Sequence, residues 1–161
     1  MRRKRDAGPI EPLENGTYAF RLTMDERTTL VGFLDQLEAL LTGADDDPRL
    51  HRLFPVAYHQ DPERDSEYQG YMRDELMQSK LNSLQQVREA LLTDDDFTEA
   101  QLYAFMTVVN SLRLVLGTLL DVSEDDDLDD LPDDDPSFGQ GQLYGYLGWI
   151  LEWTVWALSG D

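Results

Sequence analysis

Cysteine is absent from these 161 residues, which excludes disulfides, thiol nucleophiles, thiol redox switches and thiolate metal sites together. Bases are scarce: 13 Lys and Arg stand against 33 Asp and Glu, a formal net charge of −20. Such a surplus repels nucleic acid and anionic membranes, so neither is expected as a direct partner. No apolar run reaches the ~20 residues that span a bilayer. The basic start, Met1 to Arg5, leads into Pro and Glu rather than an apolar stretch. A secretory leader is therefore not expected, and the location read from the sequence is cytoplasmic. The two histidines, His51 and His59, share neither a His-x-x-x-His nor a Glu-x-x-His spacing, so they read as surface imidazoles. There is no Gly-rich phosphate loop after a strand, no Gly-x-Ser-x-Gly elbow and no His-Glu-x-x-His. No catalytic residue, cofactor site or metal site is assigned, and the chain does not read as an enzyme.

What is present suffices for one core. Hydrophobic residues make up 41% of the chain, too many for a disordered segment, and the length suits a single domain over 1–161. Residues 1–8 read as a flexible basic tip and 121–136 as a mobile acidic loop. The organising stretch runs from Phe97 to Leu120. Phe105, Val109, Leu112, Leu116 and Leu119 recur at helical spacing, and Val108, Leu114 and Val115 widen that face almost to a full cylinder. Thr98 and Gln101 form a capping box, with Phe97 and Leu102 placed as a hydrophobic staple.

Earlier in the chain, Asn15-Gly16 signals a turn between a strand near Ile10 to Leu13 and the alternation Tyr18, Phe20, Leu22. Pro9 and Pro12 confine the first strand to an edge. Thr23 and Glu26 open a helix whose inner face is Leu30, Leu34, Leu37 and Leu41, ending at Gly43. Asp45 to Gln60 is a connection anchored by Leu50, Leu53, Phe54, Val56 and Tyr58. A long helix follows, from Pro62 or Ser66 to Leu92. Met72, Leu76, Leu84, Val87 and Leu91 mark its buried stripe, and Arg73, Glu75, Lys80 and Glu89 its wet side. In the acidic loop, Asp121, Ser123 and Asp125 alternate as in an EF-hand. Asp126 and Pro132 then stand where that loop needs Gly and Glu, so a dedicated calcium site is excluded. A final helix runs from about Gln142 to Leu158. The fold class is mainly α, a bundle of four main helices with a small N-terminal β-hairpin.

Two polar residues, Asn110 and Arg113, interrupt the apolar cylinder of the central helix. A buried guanidinium keeps its charge and demands an acceptor. The expected partner is Glu152, the one formal charge on the final helix, with Gly145 and Gly148 letting the backbones approach. Glu26 or Glu38 is the fallback. On the same final helix Tyr146, Trp149, Trp153 and Trp156 form an aromatic stripe at spacings of three, four and three. Its first reading is core packing within the monomer, and its second is a partner or homodimer surface.

The run Asn110-Ser111-Leu112-Arg113-Leu114-Val115-Leu116-Gly117-Thr118 and the later Leu143-Tyr144-Gly145-Tyr146-Leu147 resemble a family of actinobacterial proteins. So do Leu53-Phe54-Pro55 and the Tyr18-to-Leu22 strand before Glu26-Arg27. The family, long catalogued as a domain of unknown function encoded beside the adaptor ClpS, is also called the actinobacterial oxidative-stress regulator family. The resemblance implies a regulator that binds a stress sigma factor of RNA polymerase without catalysis, or a partner in the Clp system. The family's redox sensing requires a cysteine pair, and this chain has none. The function read from the sequence is a non-enzymatic protein-interaction module, monomeric or homodimeric. The alternative is a small-molecule-binding domain with a polar pocket at Asn110 and Arg113.

Overall fold

The computed structural model describes residues 8–43, 62–119 and 138–160. The basic tip, the connection carrying both histidines and the acidic loop thus lie outside the described residues, apart from Gly8. Within them, the Asn15-Gly16 turn joins β1 (Ile10–Pro12) to β2 (Tyr18–Phe20), antiparallel, with Ile10 opposite Phe20 and Pro12 opposite Tyr18. Gly16 has φ +87°, a backbone state that glycine enters without steric cost. The free edge of β2 does not stay open. Tyr18 and Phe97 exchange both backbone hydrogen bonds, at 2.8 and 2.9 Å. That leaves Pro12 on the outer strand, with Pro9 just before it, where a missing N–H costs least.

Four helices follow among the described residues: α1 (Met24–Leu41), α2 (Pro62–Leu91), α3 (Glu99–Leu119) and α4 (Phe138–Ser159). The Thr23/Glu26 capping box starts α1. Thr98 and Gln101 start α3 in the same way, with reciprocal bonds of 2.8 and 3.1 Å. The mainly α architecture with an N-terminal hairpin is as the periodicity predicts. α3 packs against α1, α2 and α4, while α4 also reaches β1, so the central position of α3 holds.

The core joins Leu30, Leu34, Leu37 and Leu41 of α1 to Leu84, Val87 and Leu91 of α2 and to Phe105, Val108 and Val109 of α3. Phe20 stacks on Phe97 at 4.1 Å, and Phe105 meets Phe20 edge-on at 5.0 Å. These rings fasten the hairpin to the start of α3, an arrangement in which aromatic pairs add stabilisation beyond the area they bury.

Three expectations about helix faces need correction. Leu76 is exposed rather than buried. Lys80, placed on the wet side of α2, falls instead on the stripe of Leu84, Val87 and Leu91 and is half-buried. α3 is not enclosed all round, because Tyr103, Thr107 and Asn110 share a face open to water.

Candidate functional site

The α4 register decides what the aromatic residues can do. Its buried edge is Leu147, Ile150, Thr154 and Ala157. Tyr146, Trp149, Trp153 and Trp156 have the same spacing shifted by one residue, which turns them about 100° round the helix. They therefore flank the core: Tyr146, Trp153 and Trp156 pack against it from the side, and Trp149 alone of the four is exposed. Trp149 is 45% exposed; Trp153 and Trp156 are half-buried and meet edge-on at 5.4 Å. Trp153 also lies over Gly8, where an added Cβ would stand 2.4 Å from the indole. Tyr146 sits 5.9 Å from Trp149, and its hydroxyl lies 3.5 Å from the Glu26 carboxylate. Burial first, then the Glu26 charge, pushes this phenol up to about 12.

Arg113 does not pair with Glu152. Its guanidinium lies 4.8 Å above the Tyr144 ring, and its Nε, buried against Gly148, has no hydrogen-bond partner. Among the described residues no carboxylate forms an ion pair with it. α3 and α4 run antiparallel at this point: Arg113 leans toward Tyr144, while Glu152 lies eight residues further on, about 12 Å along the helix, and is exposed. The ring supplies a cation–π contact in place of the anion, and partial exposure leaves the other guanidinium nitrogens to water. The fallback partners are committed elsewhere. Glu38 binds Arg88 at 2.7 Å, and Glu26 closes the α1 capping box.

The arginine that is fully buried is Arg27, 1% exposed. Among the described residues no carboxylate forms an ion pair with it. Its Nε donates to the Leu22 carbonyl at 3.2 Å, Nη2 to Phe20 at 2.7 Å, and Nη1 to Thr93. The guanidinium also lies 4.9 Å over the Phe20 ring. Burial lowers its pKa, opposed by the charges of Asp94, Asp95 and Asp96 in the turn before α3. Arg27 stands three residues before Leu30 and seven before Leu34, a helical spacing that puts it on the inner face with them and that its charge outweighed in the sequence.

Between α2, α3 and α4 the open face of α3 floors a groove of about 380 Å³. Lys80, Thr107, Asn110 and Ser111 supply its polar lining, and Met106, Leu114 and Leu151 much of its apolar lining. Asn110 is exposed there, and Arg113 does not line it, so the expected joint pocket of Asn110 and Arg113 is not formed. Desolvation lowers the Lys80 pKa. The signal for Lys80 lay in its spacing from Leu84, Val87 and Leu91, which its charge outweighed. Among the described residues no His, Asp and Glu cluster could hold a metal ion, and no helix is long and apolar enough to cross a membrane.

A family model described as a domain of unknown function, DUF2017, matches residues 3–158. No curated protein and no solved structure matches the chain.

Proposed function

This chain belongs to the DUF2017 family, and we propose that it works as a non-enzymatic, cytoplasmic protein-interaction module whose docking surface is the outer side of α4. One observation carries this reading. Trp149 and Val155 are 45% and 49% exposed on a helix with a single formal charge, Glu152, and half-buried Trp156 continues the same side. Aromatic residues left in water on an apolar helix are the type of anchor that protein interfaces bury. Among the described residues no carboxylate or histidine lines the groove, so its lining gives no support to catalysis.

The resemblance to actinobacterial oxidative-stress regulators supports a stress sigma factor of RNA polymerase as the partner, with a Clp-system component second. Without cysteine, binding proceeds independently of thiol chemistry, and the chain acts as a monomer or homodimer. Calorimetric titration of the protein with purified stress sigma factors and with the Clp adaptor tests this. One of them is expected to bind, and Trp149→Glu to weaken it by about 2 kcal/mol or more, roughly 30-fold. Absence of binding to every candidate, or unchanged affinity for a folded Trp149→Glu protein, overturns the proposal.

A further inference from the structure

In a chain with 33 acids and 13 bases, a lysine that meets no carboxylate is unexpected. Among the described residues Lys80 is such a residue. It occupies a core-facing position of α2 and lines the groove together with Asn110 and Ser111 of α3. Among the described residues none of these three side chains makes a hydrogen bond or ion pair. Compare Arg88 on the same helix, which is held by both Asp35 and Glu38 at 2.8 and 2.7 Å. Lys80 and Ser111 also border a void of about 10 Å³ against Leu37 and Leu41. They thus form the floor of the groove rather than its rim.

Half-burying an ammonium beside apolar residues without an anionic partner costs part of its hydration, and methionine or leucine at this position would extend the apolar stripe. Burial already lowers the Lys80 pKa, the physical sign of that cost. The groove volume of about 380 Å³ falls within the range of small-molecule sites, about 300–1,000 Å³. Apart from Thr107, whose hydroxyl donates to the Tyr103 carbonyl at 3.2 Å, the remaining lining is apolar: Met106 and Leu114 from α3 and Leu151 and Val155 from α4.

We infer that this groove binds a small amphiphilic monocarboxylate, its carboxylate on Lys80, Asn110 and Ser111 and its apolar chain along Leu114, Leu151 and Val155. One cation with two neutral donors balances a single negative charge. A phosphate monoester carries about −1.5 to −2 at neutral pH, which one lysine in a protein of net charge −20 does not offset. The site shares Val155 with the α4 docking surface proposed above, but its polar determinants lie on α2 and α3, so Lys80 and Asn110 variants probe it while leaving Trp149 intact.

The test uses octanoate, titrated calorimetrically into the full chain, with octanol, acetate and octyl phosphate as comparators. Octanoate is expected to bind saturably at one site per chain, at least tenfold tighter than each comparator. Lys80→Met is expected to weaken octanoate at least tenfold and, without ligand, to melt above the native protein. Asn110→Asp, a change at an exposed position that leaves the core untouched, is expected to weaken octanoate at least fivefold. It keeps the proposal testable if Lys80→Met does not fold. Octanoate that fails to saturate, a comparator that binds as tightly, or affinity unchanged in a folded variant overturns the inference. So does a lower melting temperature for Lys80→Met, which would make Lys80 a structural residue.

Discussion

Arg27 and Arg113 place a guanidinium against helices in different ways, and the difference sets what each contributes. Arg27 is enclosed, and the Phe20, Leu22 and Thr93 carbonyls accept from it. Its removal leaves the Phe20 and Leu22 carbonyls buried without that donor and opens a gap beside the Phe20 ring. Each orphaned group costs roughly 1–3 kcal/mol, so Arg27→Met is expected to lose about 3–5 kcal/mol. In a domain of this size that lowers the melting temperature by roughly 10 °C. Arg113 is half-buried, holds one cation–π contact and leaves its Nε without a partner. Arg113→Met trades that contact for a satisfied apolar surface, so a change within about 1 kcal/mol is expected. Urea denaturation of the two variants side by side checks this. Equal losses would mean that Arg113 has a strong acceptor after all.

At the scale of elements, what was legible is what depends on period and punctuation. The turn at Asn15-Gly16, both capping boxes and the inner face of α1 follow from local chemistry, and each stands where the residues put it. The rotation of α4 was not legible. Its aromatic stripe and the Leu147, Ile150, Thr154, Ala157 edge are both apolar and differ by one residue. Hydrophobic period cannot choose between adjacent faces of such a helix, whereas packing can, and small Thr154 and Ala157 allow closer approach than three indoles would. The candidate site was lost for a related reason. The charge of Lys80 was read as a sign of solvent although its spacing matched the core, and the polarity of Asn110 was read as interior although three packed neighbours leave α3 a fourth side. The glycines that meet α4 test the observed register. At Gly148 an added Cβ would lie 3.6 Å from the Arg113 Nε, an ordinary contact. Gly148→Ala should therefore gain up to about 1 kcal/mol from helix propensity. At Gly8 the added Cβ would enter the Trp153 ring. Gly8→Ala should lose about 1–3 kcal/mol as the ring is displaced, with a shift in tryptophan emission. Thermal melts of both variants decide it, and a loss at Gly148 or no effect at Gly8 would contradict the α4 register.

Over the whole molecule the surplus of negative charge acts on stability as well as on the choice of partner. Among the described residues the ion pairs are Arg21 with Glu11 and Arg88 with Asp35 and Glu38, all with at least one exposed partner. Such pairs contribute roughly 0–1 kcal/mol each and weaken with salt. Against them stands a formal charge of −20, whose self-repulsion grows when the chain compacts. Salt acts on both, but the repulsion sums over many pairs of like charges and the attraction over few. The screening length falls from about 30 Å at 0.01 M ionic strength to about 3 Å at 1 M, so repulsion between distant carboxylates is removed while the closest contacts persist. Raising sodium chloride from 0.01 to 0.5 M is therefore expected to stabilise the fold by about 1 kcal/mol or more, roughly 2–4 °C in melting temperature. A fall in melting temperature would mean that ion pairs dominate. Calcium chloride separates general screening from a dedicated site. The acidic loop fails the EF-hand pattern at Asp126 and Pro132, so at matched ionic strength calcium is expected to follow the sodium curve. A rise that saturates at calcium concentrations too low to screen would instead require specific coordination, which a spacing argument from the sequence alone had excluded.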